Sequence, residues 1–466
     1  MSSARRAIGR AWLAVGFLAA CALNAQAQRS EHALRFFGTG ASQLDRVRIP
    51  IDDDLPGPDA SSPCDVGAAS FTLECWVRGT LADNPTAHTG GGSFGDFRWI
   101  EGNVLLDRDV YGGTERDFGV SLAGGFVRFG TGRGDALQDG ENTLEAPVNV
   151  LDGAWHHVAC VRDAATGVKR IFVDGVLAIA SAPNTSRTDL SYPNAGAPGQ
   201  VTPWGPYLVV AAEKHDAGAA YPSFAGYVDE LRVWNVARTE LELRVHRDRV
   251  LPAGTPGLVG AYRFEEGAGT SAADSSGSGA PNGQVIAGAS GNGEWVSRAA
   301  NPLNTAPMTD EGGVALCAGD GSLAPCPCGN DAPAASGRGC LNSLGVGAWL
   351  VASGRASLAN DGLVLTTQGL PAGTSLYFQG SAYDAPTPLG DGLRCAGGAL
   401  VRLGTRANAG GASSYPPVGG TSISVRGSIA APGAFAVYQV WYRNAASFCT
   451  SATFNTSNAV GVVWGS

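Results

Sequence analysis

The sequence is poor in positive charge. Its 466 residues carry a formal net charge of −9, and Lys169 and Lys214 are the only lysines. A domain that binds nucleic acid needs basic residues clustered in a stripe or patch that neutralises phosphates. No such cluster occurs along the chain, so we expect no nucleic acid partner.

Long apolar runs are missing beyond the N-terminus. A transmembrane helix needs about 20 predominantly apolar residues, and no segment after residue 27 supplies them. We therefore expect no transmembrane segment.

The N-terminus itself is predicted to be a signal peptide over residues 1–27. Arginines precede the apolar residues 11–23, and Ala25-Gln26-Ala27 has the small side chains of a cleavage site.

A second interpretation of the same segment is a lipoprotein signal. Leu18-Ala19-Ala20-Cys21 resembles a bacterial lipobox, in which Cys21 is lipidated and becomes the mature N-terminus. A lipid anchor at Cys21 and plain secretion after residue 27 both remain open. Both predict a secreted or cell-envelope-associated protein in an oxidising compartment.

Helical periodicity is scarce, whereas turn-forming residues are abundant. The 67 glycines and 26 prolines make up about a fifth of the chain, which is typical of many short strands joined by tight turns. In residues 224–235 and 71–77, apolar side chains recur at a spacing near two, which indicates strands. The pair Asp174-Gly175 between two apolar runs predicts a hairpin. The sequence therefore predicts an all-β fold.

Five segments of the first 300 residues carry a resemblance to a known family. They are ALRF at 33–36, FTLECWV at 71–77, WHHVACVRD at 155–163, FVDGV at 172–176 and GYVDELRVWN at 226–235. Their order and spacing resemble the LamG-like jelly-roll domain of the concanavalin A-like lectin/glucanase superfamily. The resemblance implies a two-sheet antiparallel jelly-roll sandwich over residues 30–300. Relatives bind glycans or proteins, and some carry a structural calcium ion.

Residues 257–295 allow two interpretations. They are similar to a stretch found near the start of many LamG-like domains, yet here they follow the last segment of the match. They could begin a truncated second repeat or complete the first sandwich. A half repeat would expose an apolar strand edge, which proteins avoid. We therefore predict that they complete the first sandwich.

The C-terminal third is rich in cysteine. After a predicted linker at residues 301–316, residues 317–466 are predicted to form a smaller disulfide-stapled β domain. This part is similar to a domain that recurs at the C-termini of exported bacterial proteins and has no assigned chemistry. Six cysteines in an exported domain predict bridges among themselves: Cys317, Cys326, Cys328, Cys340, Cys395 and Cys449. A zinc site at the first four is a weaker alternative, because no histidine lies nearby and exported thiols oxidise.

The resemblance also bears on two cysteines of the first domain. Cys75 and Cys160 lie on strands that are neighbours in the family, so we name them as disulfide candidates. A pair of separate buried thiols is the alternative.

The signals for catalysis are weak. Jelly-roll glucanases place two carboxylates on one strand face through an E-x-D-x-x-E string, which this sequence lacks. Asp229 and Glu230 are adjacent, so on a regular strand they should point to opposite faces. A G-x-S-x-G match at residues 91–95 has neither the strand nor the helix of a nucleophile elbow. We therefore expect that the protein is not an enzyme.

Candidate binding residues follow from two kinds of chemistry. Sugars stack on exposed aromatic rings, and the aromatic residues in predicted loops or rims are Trp99, Tyr111, Trp204, Tyr207 and Tyr221. Calcium prefers carboxylate and carbonyl oxygens. In related sandwiches an ion joins chain segments at places corresponding to an acidic loop and a late strand, which here contain Asp52, Asp54 and Asp229.

Two functions of different class are consistent with these residues. The first is an exported, non-catalytic binding protein that recognises an extracellular glycan or a cell-surface ligand through the sandwich. The alternative is a structural or adhesive cell-envelope protein that makes protein contacts without sugar specificity. Outward-facing aromatic side chains gathered on one sheet would favour the first.

Overall fold

The structure is a computed structural model that describes most of the chain after the predicted signal peptide. The described residues are 29–38, 45–52, 62–88, 99–110, 116–132, 143–192, 205–215, 217–218, 221–287, 294–309, 311–444 and 448–465. Cys21, Asp54, Tyr111 and Trp204 lie outside them, as do residues 91–95. Across the described ranges, no helix has the length and apolar character needed to cross a membrane.

The first 300 residues contribute sixteen strands to the described structure. They are β1 (His32–Phe37), β2 (Arg46–Pro50), β3 (Phe71–Arg78), β4 (Asn103–Arg108), β5 (Phe118–Ala123), β6 (Phe126–Thr131), β7 (Leu144–Asn149), β8 (His156–Asp163), β9 (Val168–Val173), β10 (Val176–Ala180), β11 (Tyr207–Val210), β12 (Ala225–Trp234), β13 (Leu258–Tyr262), β14 (Ser271–Ala272), β15 (Gly283–Ile286) and β16 (Glu294–Ser297).

These strands form two antiparallel sheets. The first sheet has the order β10-β9-β8-β3-β12-β1-β16, and β13 also pairs with β12. The second sheet has the order β14-β15-β2-β11-β4-β5-β6-β7. One hydrophobic core takes side chains from both sheets, for example Phe71 and Val228 from the first and Val120 and Leu208 from the second. The predicted all-β sandwich is confirmed.

Residues 257–295 complete this sandwich, as predicted. Strand β13 pairs with β12, β15 pairs with β2, and β16 pairs with β1. The segment therefore supplies strands to both sheets, and it covers edges that would otherwise be unpaired.

A helix covers part of the outer face of the first sheet. Helix α1 (Glu240–His246) begins at Thr239, which forms the capping box with Glu242 that their spacing predicts. Leu243 of this helix packs against Val161 and Phe172 on the sheet. Residues 71–77 of β3 are buried on both faces, although their alternating pattern is typical of a half-buried strand.

A buried charge network lies under the helix. One carboxylate oxygen of Glu74 accepts hydrogen bonds from Trp234 Nε1 at 3.0 Å and from Arg232 Nη1 at 3.3 Å. The other lies 3.4 Å from Nε2 of His157. Burial raises the pKa of Glu74, but the hydrogen bond and charge of His157 and the charge of Arg232 outweigh burial and lower the pKa.

The remaining described strands belong to the C-terminal part. They are β17 (Val314–Leu316), β18 (Trp349–Ser353), β19 (Val364–Gln368), β20 (Gly373–Leu389), β21 (Gly392–Asn408), β22 (Ala412–Tyr415), β23 (Phe435–Arg443), β24 (Phe454–Thr456) and β25 (Ala459–Val463). One sheet has the order β17-β25-β23-β20-β21 with β24 beside β23, and a second has the order β18-β19-β22. The two sheets share a core that includes Leu350, Tyr377, Tyr438 and Trp464. The four-residue helix α2 (Ile423–Arg426) follows β22.

Three disulfides staple the C-terminal part. They join Cys317 to Cys395, Cys326 to Cys340, and Cys328 to Cys449. The six cysteines therefore bridge among themselves, and the zinc alternative is wrong because all four of its ligands are used in disulfides.

The expected linker is packed in part. A 3₁₀ turn at Pro302–Asn304 is followed by Ala306 and Met308, which are buried against Trp76 of the first sheet. Val314 of the same segment already lies in β17.

Cys75 and Cys160 are free, buried thiols and form no disulfide. The register of β3 and β8 places Cys75 opposite Val158, and Cys160 opposite Leu73. The two thiols are therefore diagonal neighbours, and diagonal partners lie further apart than residues directly opposite each other. Cys64 is the third free and buried cysteine among the described residues.

Candidate functional site

Three strands of the first sheet bring two arginines and a tyrosine into one row on its outer face. In β1, Leu34 and Phe36 point into the core, so Arg35 and Phe37 point outward. Arg35 is directly opposite Tyr227 of β12, and Tyr227 is directly opposite Arg78 of β3. We call Arg35, Phe37, Arg78, Tyr227 and the adjacent Trp155 the arginine–aromatic surface.

The charged and aromatic groups of this surface stack on one another. The guanidinium carbon of Arg35 is 4.5 Å from the ring centroid of Phe37 and 5.4 Å from that of Tyr227. Arg78 approaches the same tyrosine ring at 5.1 Å, and Trp155 meets it edge-on with a centroid separation of 6.2 Å. Such cation–π contacts hold a guanidinium in a fixed position and leave its N–H groups free to bind.

The two arginines differ in how their donors are used. Arg78 Nε donates to the carbonyl of Gly153 at 2.7 Å, and its Nη1 donates to the carbonyl of Leu303 at 2.6 Å. Trp155 Nε1 donates to the same Leu303 carbonyl. Arg35 is exposed and has ring contacts only, with no hydrogen-bond or ion-pair partner in the described part of the chain. Arg78 is therefore structural, whereas the donors of Arg35 face solvent.

A small open cavity of about 110 Å³ lies beside this row. Its lining residues include Arg35, Phe37, Arg78, Tyr227, Thr80 and Asp83. Asp83 is exposed and accepts a hydrogen bond from the Thr80 hydroxyl at 2.8 Å. The cavity thus offers aromatic faces, a cationic donor group and carboxylate acceptors within one concave region.

Trp99, predicted to be an exposed aromatic residue of a loop or rim, has a buried side chain. It is only 5% exposed, because its indole fills the space above Gly119 and Gly130, which are paired on β5 and β6. A Cβ at Gly130 would come within 1.8 Å of the indole. Two glycines facing each other across a strand pair leave a trough, and here Trp99 occupies it.

The other predicted aromatic residues do not gather on the arginine–aromatic surface. Tyr207 lies in β11 of the second sheet, where it is half-buried against Val209 and stacks with Arg48 at 5.7 Å. Tyr221 is half-buried in the segment before β12. Tyr111 and Trp204 lie outside the described residues. The sequence pattern missed Arg35 and Tyr227 because both were assigned to strands and not to loops.

The predicted calcium residues Asp52 and Asp229 are on different sheets. Asp229 is buried, and its Oδ2 accepts hydrogen bonds from the Ser30 hydroxyl at 2.6 Å and from the Ala306 N–H at 2.8 Å. Burial and the neighbouring charge of Glu230 raise its pKa. Asp229 therefore ties two chain segments to β12, while Asp52 follows β2 on the second sheet. Asp54 lies outside the described residues.

A β-bulge changes where Asp229 and Glu230 point. The pairing of β12 with β3 shifts between Asp229 and Arg232, and Glu230 has a φ of +49°. Val228 and Leu231 both point into the core, so the two residues between them lie on the outer face. Glu230 there pairs with Arg263 at 2.9 Å. The expectation that the two carboxylates point to opposite faces is wrong.

A second cluster, which the sequence reasoning missed, lies at the edge of the second sheet. Asp109 follows β4, and Glu213 and His215 follow the adjacent strand β11. Nδ1 of His215 is 2.5 Å from a carboxylate oxygen of Asp109 and 3.3 Å from one of Glu213. One ligand atom from each residue lies within 4.8 Å of the others, close enough to hold a metal ion. We call these three residues the acidic–histidine cluster.

Burial and neighbouring charges shift the pKa values of the groups in and beside the cluster. Burial lowers the pKa of His215, but hydrogen bonds to Asp109 and Glu213 outweigh burial and raise it to about 9. Burial and the charge of Asp109 raise the pKa of Asp117 to about 8.

Two spacings in the sequence could have indicated this cluster. They are E-x-H at Glu213 and His215 and D-x-D at Asp107 and Asp109, because alternate residues of an extended chain lie on the same side.

One family model matches part of the N-terminal sandwich. The sandwich has two antiparallel sheets, and residues 57–244 match the family model described as the concanavalin A-like lectin/glucanases superfamily. The predicted resemblance is confirmed for these residues, and the resemblance of residues 317–466 stays a prediction. A comparison with curated protein sequences finds no match.

Solved structures give remote similarities. A protein described as carbohydrate-binding from Bacteroides ovatus is 19% identical, with 55% of this chain and 58% of that chain covered and a TM-score of 0.36. A heptameric SAP-like pentraxin from Limulus polyphemus is 13% identical, with coverage of 46% and 81% and a TM-score of 0.30. The CBM40 of a Ruminococcus gnavus IT-sialidase is 15% identical, with coverage of 38% and 82% and a TM-score of 0.27. The chain thus spans little more than half of the length of the Bacteroides protein.

Proposed function

We propose that the protein is an exported, non-catalytic binding protein that recognises an extracellular glycan through the arginine–aromatic surface. The observation that carries the proposal is the exposed guanidinium of Arg35. It is held over the rings of Phe37 and Tyr227, and its donors lack a partner among the described residues.

The chemistry of this surface favours a glycan that carries an acidic group. Aromatic faces stack on the C–H faces of sugar rings, and a guanidinium binds carboxylate or sulfate through paired hydrogen bonds. Thr80 and Asp83, which also line the cavity, supply groups that would hydrogen-bond sugar hydroxyls. An acidic sugar would therefore place its charged group on Arg35 and its ring on Tyr227.

A glycan array probed with the full chain after residue 27 tests this proposal. Neutral glycans are compared with glycans that bear carboxylate or sulfate. Each set is tested with and without calcium, because the family resemblance implies that a structural calcium ion can be present. We expect binding to acidic glycans, and a loss of at least about tenfold in affinity for Arg35→Gln, as removal of a charge-assisted hydrogen bond implies. Absence of binding to every acidic glycan in both conditions would overturn the proposal.

A structural or adhesive role is the second candidate, and one observation favours it. Strand β10 is an end strand of the first sheet, where Val176 is 57% exposed and Leu177 is 42% exposed. An apolar strand at a sheet edge is suited to pairing with another chain. Binding to deglycosylated cell envelopes that Leu177→Lys abolishes and Arg35→Gln leaves intact would favour this candidate over glycan recognition.

A further inference from the structure

We propose that the acidic–histidine cluster of Asp109, Glu213 and His215 is a binding site for a divalent transition-metal ion of the zinc class. Two adjacent strands of the second sheet, β4 and β11, deliver the three residues to one place. The site is separate from the arginine–aromatic surface, which is on the first sheet, and it does not depend on the glycan proposal.

The distances in the cluster are close to those of a coordination sphere. Zinc binds histidine nitrogen and carboxylate oxygen at about 2.0–2.2 Å, which puts neighbouring ligands of a tetrahedral site about 3.3–3.6 Å apart. Nδ1 of His215 is 3.3 Å from Glu213 and 2.5 Å from Asp109. The Asp109 carboxylate must move outward from His215, by about 1 Å, to reach the spacing of two ligands around an ion.

Asp107 provides an independent observation beside the cluster. It precedes Asp109 by two residues, it is 0% exposed, and its Oδ1 has no hydrogen-bond partner among the described residues. Its Oδ2 accepts a hydrogen bond at 2.6 Å from the backbone N–H of Lys214, the residue between Glu213 and His215. A buried carboxylate oxygen without a partner is costly, and a cation or its bound water would satisfy it.

The donor set selects the class of ion. Calcium prefers six to eight oxygen ligands, whereas an imidazole nitrogen with two carboxylates suits zinc and its neighbours. Three protein ligands leave a fourth position for water or for Asp107.

The segment that carries Glu213 and His215 is fixed in place, because Arg46 Nη1 donates to the carbonyls of Glu213 and Lys214 at 3.3 Å each. These two bonds hold the backbone of Glu213, and of Lys214 just before His215, on the sheet.

Titration of the tag-free, metal-stripped full chain after residue 27 with Zn²⁺ tests the inference. We expect one ion per chain, a higher affinity for Zn²⁺ than for Ca²⁺, and the visible absorption of tetrahedral Co²⁺ when cobalt replaces zinc. His215→Gln and Glu213→Gln should each weaken zinc binding at least about tenfold, by analogy with the loss measured when metal-site residues are replaced.

His156 supplies the matched control. It also lies between two carboxylates, with Nε2 3.1 Å from Asp152 and Nδ1 2.9 Å from Asp174. His156→Gln should leave zinc binding unchanged. Circular dichroism of each metal-free variant separates loss of ligand from loss of fold, and Glu213→Gln serves where His215→Gln fails to fold. An unchanged zinc affinity in a folded cluster variant, a preference for Ca²⁺, or no binding to the folded wild-type chain would overturn the inference.

Discussion

The N-terminal sandwich and the C-terminal part stabilise their folds in different ways. The sandwich contains three free cysteines, all buried, and a core fed by both of its sheets. The C-terminal part has a smaller core and three disulfides. The chain thus uses covalent staples where the core is small, and buried side chains and charge networks where the core is large.

Removal of the long-range disulfide should give the largest effect. Cys328 and Cys449 are separated by 121 residues, and closure of so long a loop stabilises a fold by about 4–5 kcal/mol. We expect the Cys328→Ala/Cys449→Ala double variant to unfold its C-terminal part at a lower denaturant concentration, while the sandwich keeps its own transition. Hydrogen exchange resolved by peptide measures both parts.

The short disulfide is the matched control for this experiment. Cys326 and Cys340 are separated by 14 residues, so the corresponding double variant should lose only about 3 kcal/mol. If the sandwich lost its protection to the same extent as the C-terminal part, the two regions would be one cooperative unit and the comparison would fail.

The buried charge network should give the next largest effect, confined to the sandwich. Glu74→Ala leaves the indole N–H of Trp234 without its buried acceptor and removes one of the two carboxylates that pair with Arg232, which keeps Glu230. Breaking a buried ion pair by removing one partner costs about 3–5 kcal/mol. Urea unfolding followed by tryptophan fluorescence, with hydrogen exchange to assign the region, measures the loss.

The pH dependence of the same residue gives the control. The pKa of Glu74 is lower in the folded state than its usual value of 4.5, so its contribution is present above about pH 4.5 and is lost as pH falls. The wild-type chain should therefore lose more stability between pH 6 and pH 3 than Glu74→Gln does. Equal losses would contradict the role given to this carboxylate.

The free thiols should give the smallest effect. Burial raises the pKa of Cys64 to about 12 and raises that of Cys75 and Cys160 as well. The chain after residue 27 should therefore react with no thiol reagent when folded, and with three equivalents when unfolded without reductant. Cys75→Ala should cost about 1 kcal/mol, as expected for loss of one small buried group. A count of one free thiol would indicate a Cys75–Cys160 bridge.

The sequence was sufficient for features that depend on local pattern. Alternation in residues 71–77, the Asp174-Gly175 hairpin and the capping box at Thr239 are short-range signals, and the structure has each of them. The edge argument also predicted correctly that residues 257–295 complete the sandwich. The six C-terminal cysteines were expected to bridge, but their connectivity required coordinates.

The candidate site depended on features that a single sequence does not reveal. Cross-strand register brings Arg35 beside Tyr227, although they are 192 positions apart, and register cannot be read from either strand alone. The β-bulge at Glu230 likewise becomes visible only in the pairing of β12 with β3, and it places the Glu230 carboxylate on the same face as that of Asp229. Trp99 was misjudged because the glycines that accommodate it lie on two other strands.

Calorimetric titration with the strongest acidic glycan from the array tests the central claim most directly. Arg35→Gln and Tyr227→Ala are compared with the wild-type chain and with Arg402→Gln, a variant of an exposed arginine on β21 of the C-terminal part. We predict that Arg35→Gln and Tyr227→Ala each lose at least about tenfold in affinity, in line with one charge-assisted contact or one aromatic contact, and that Arg402→Gln binds as the wild type does. Equal affinities for all four proteins would contradict the assignment of glycan binding to the arginine–aromatic surface.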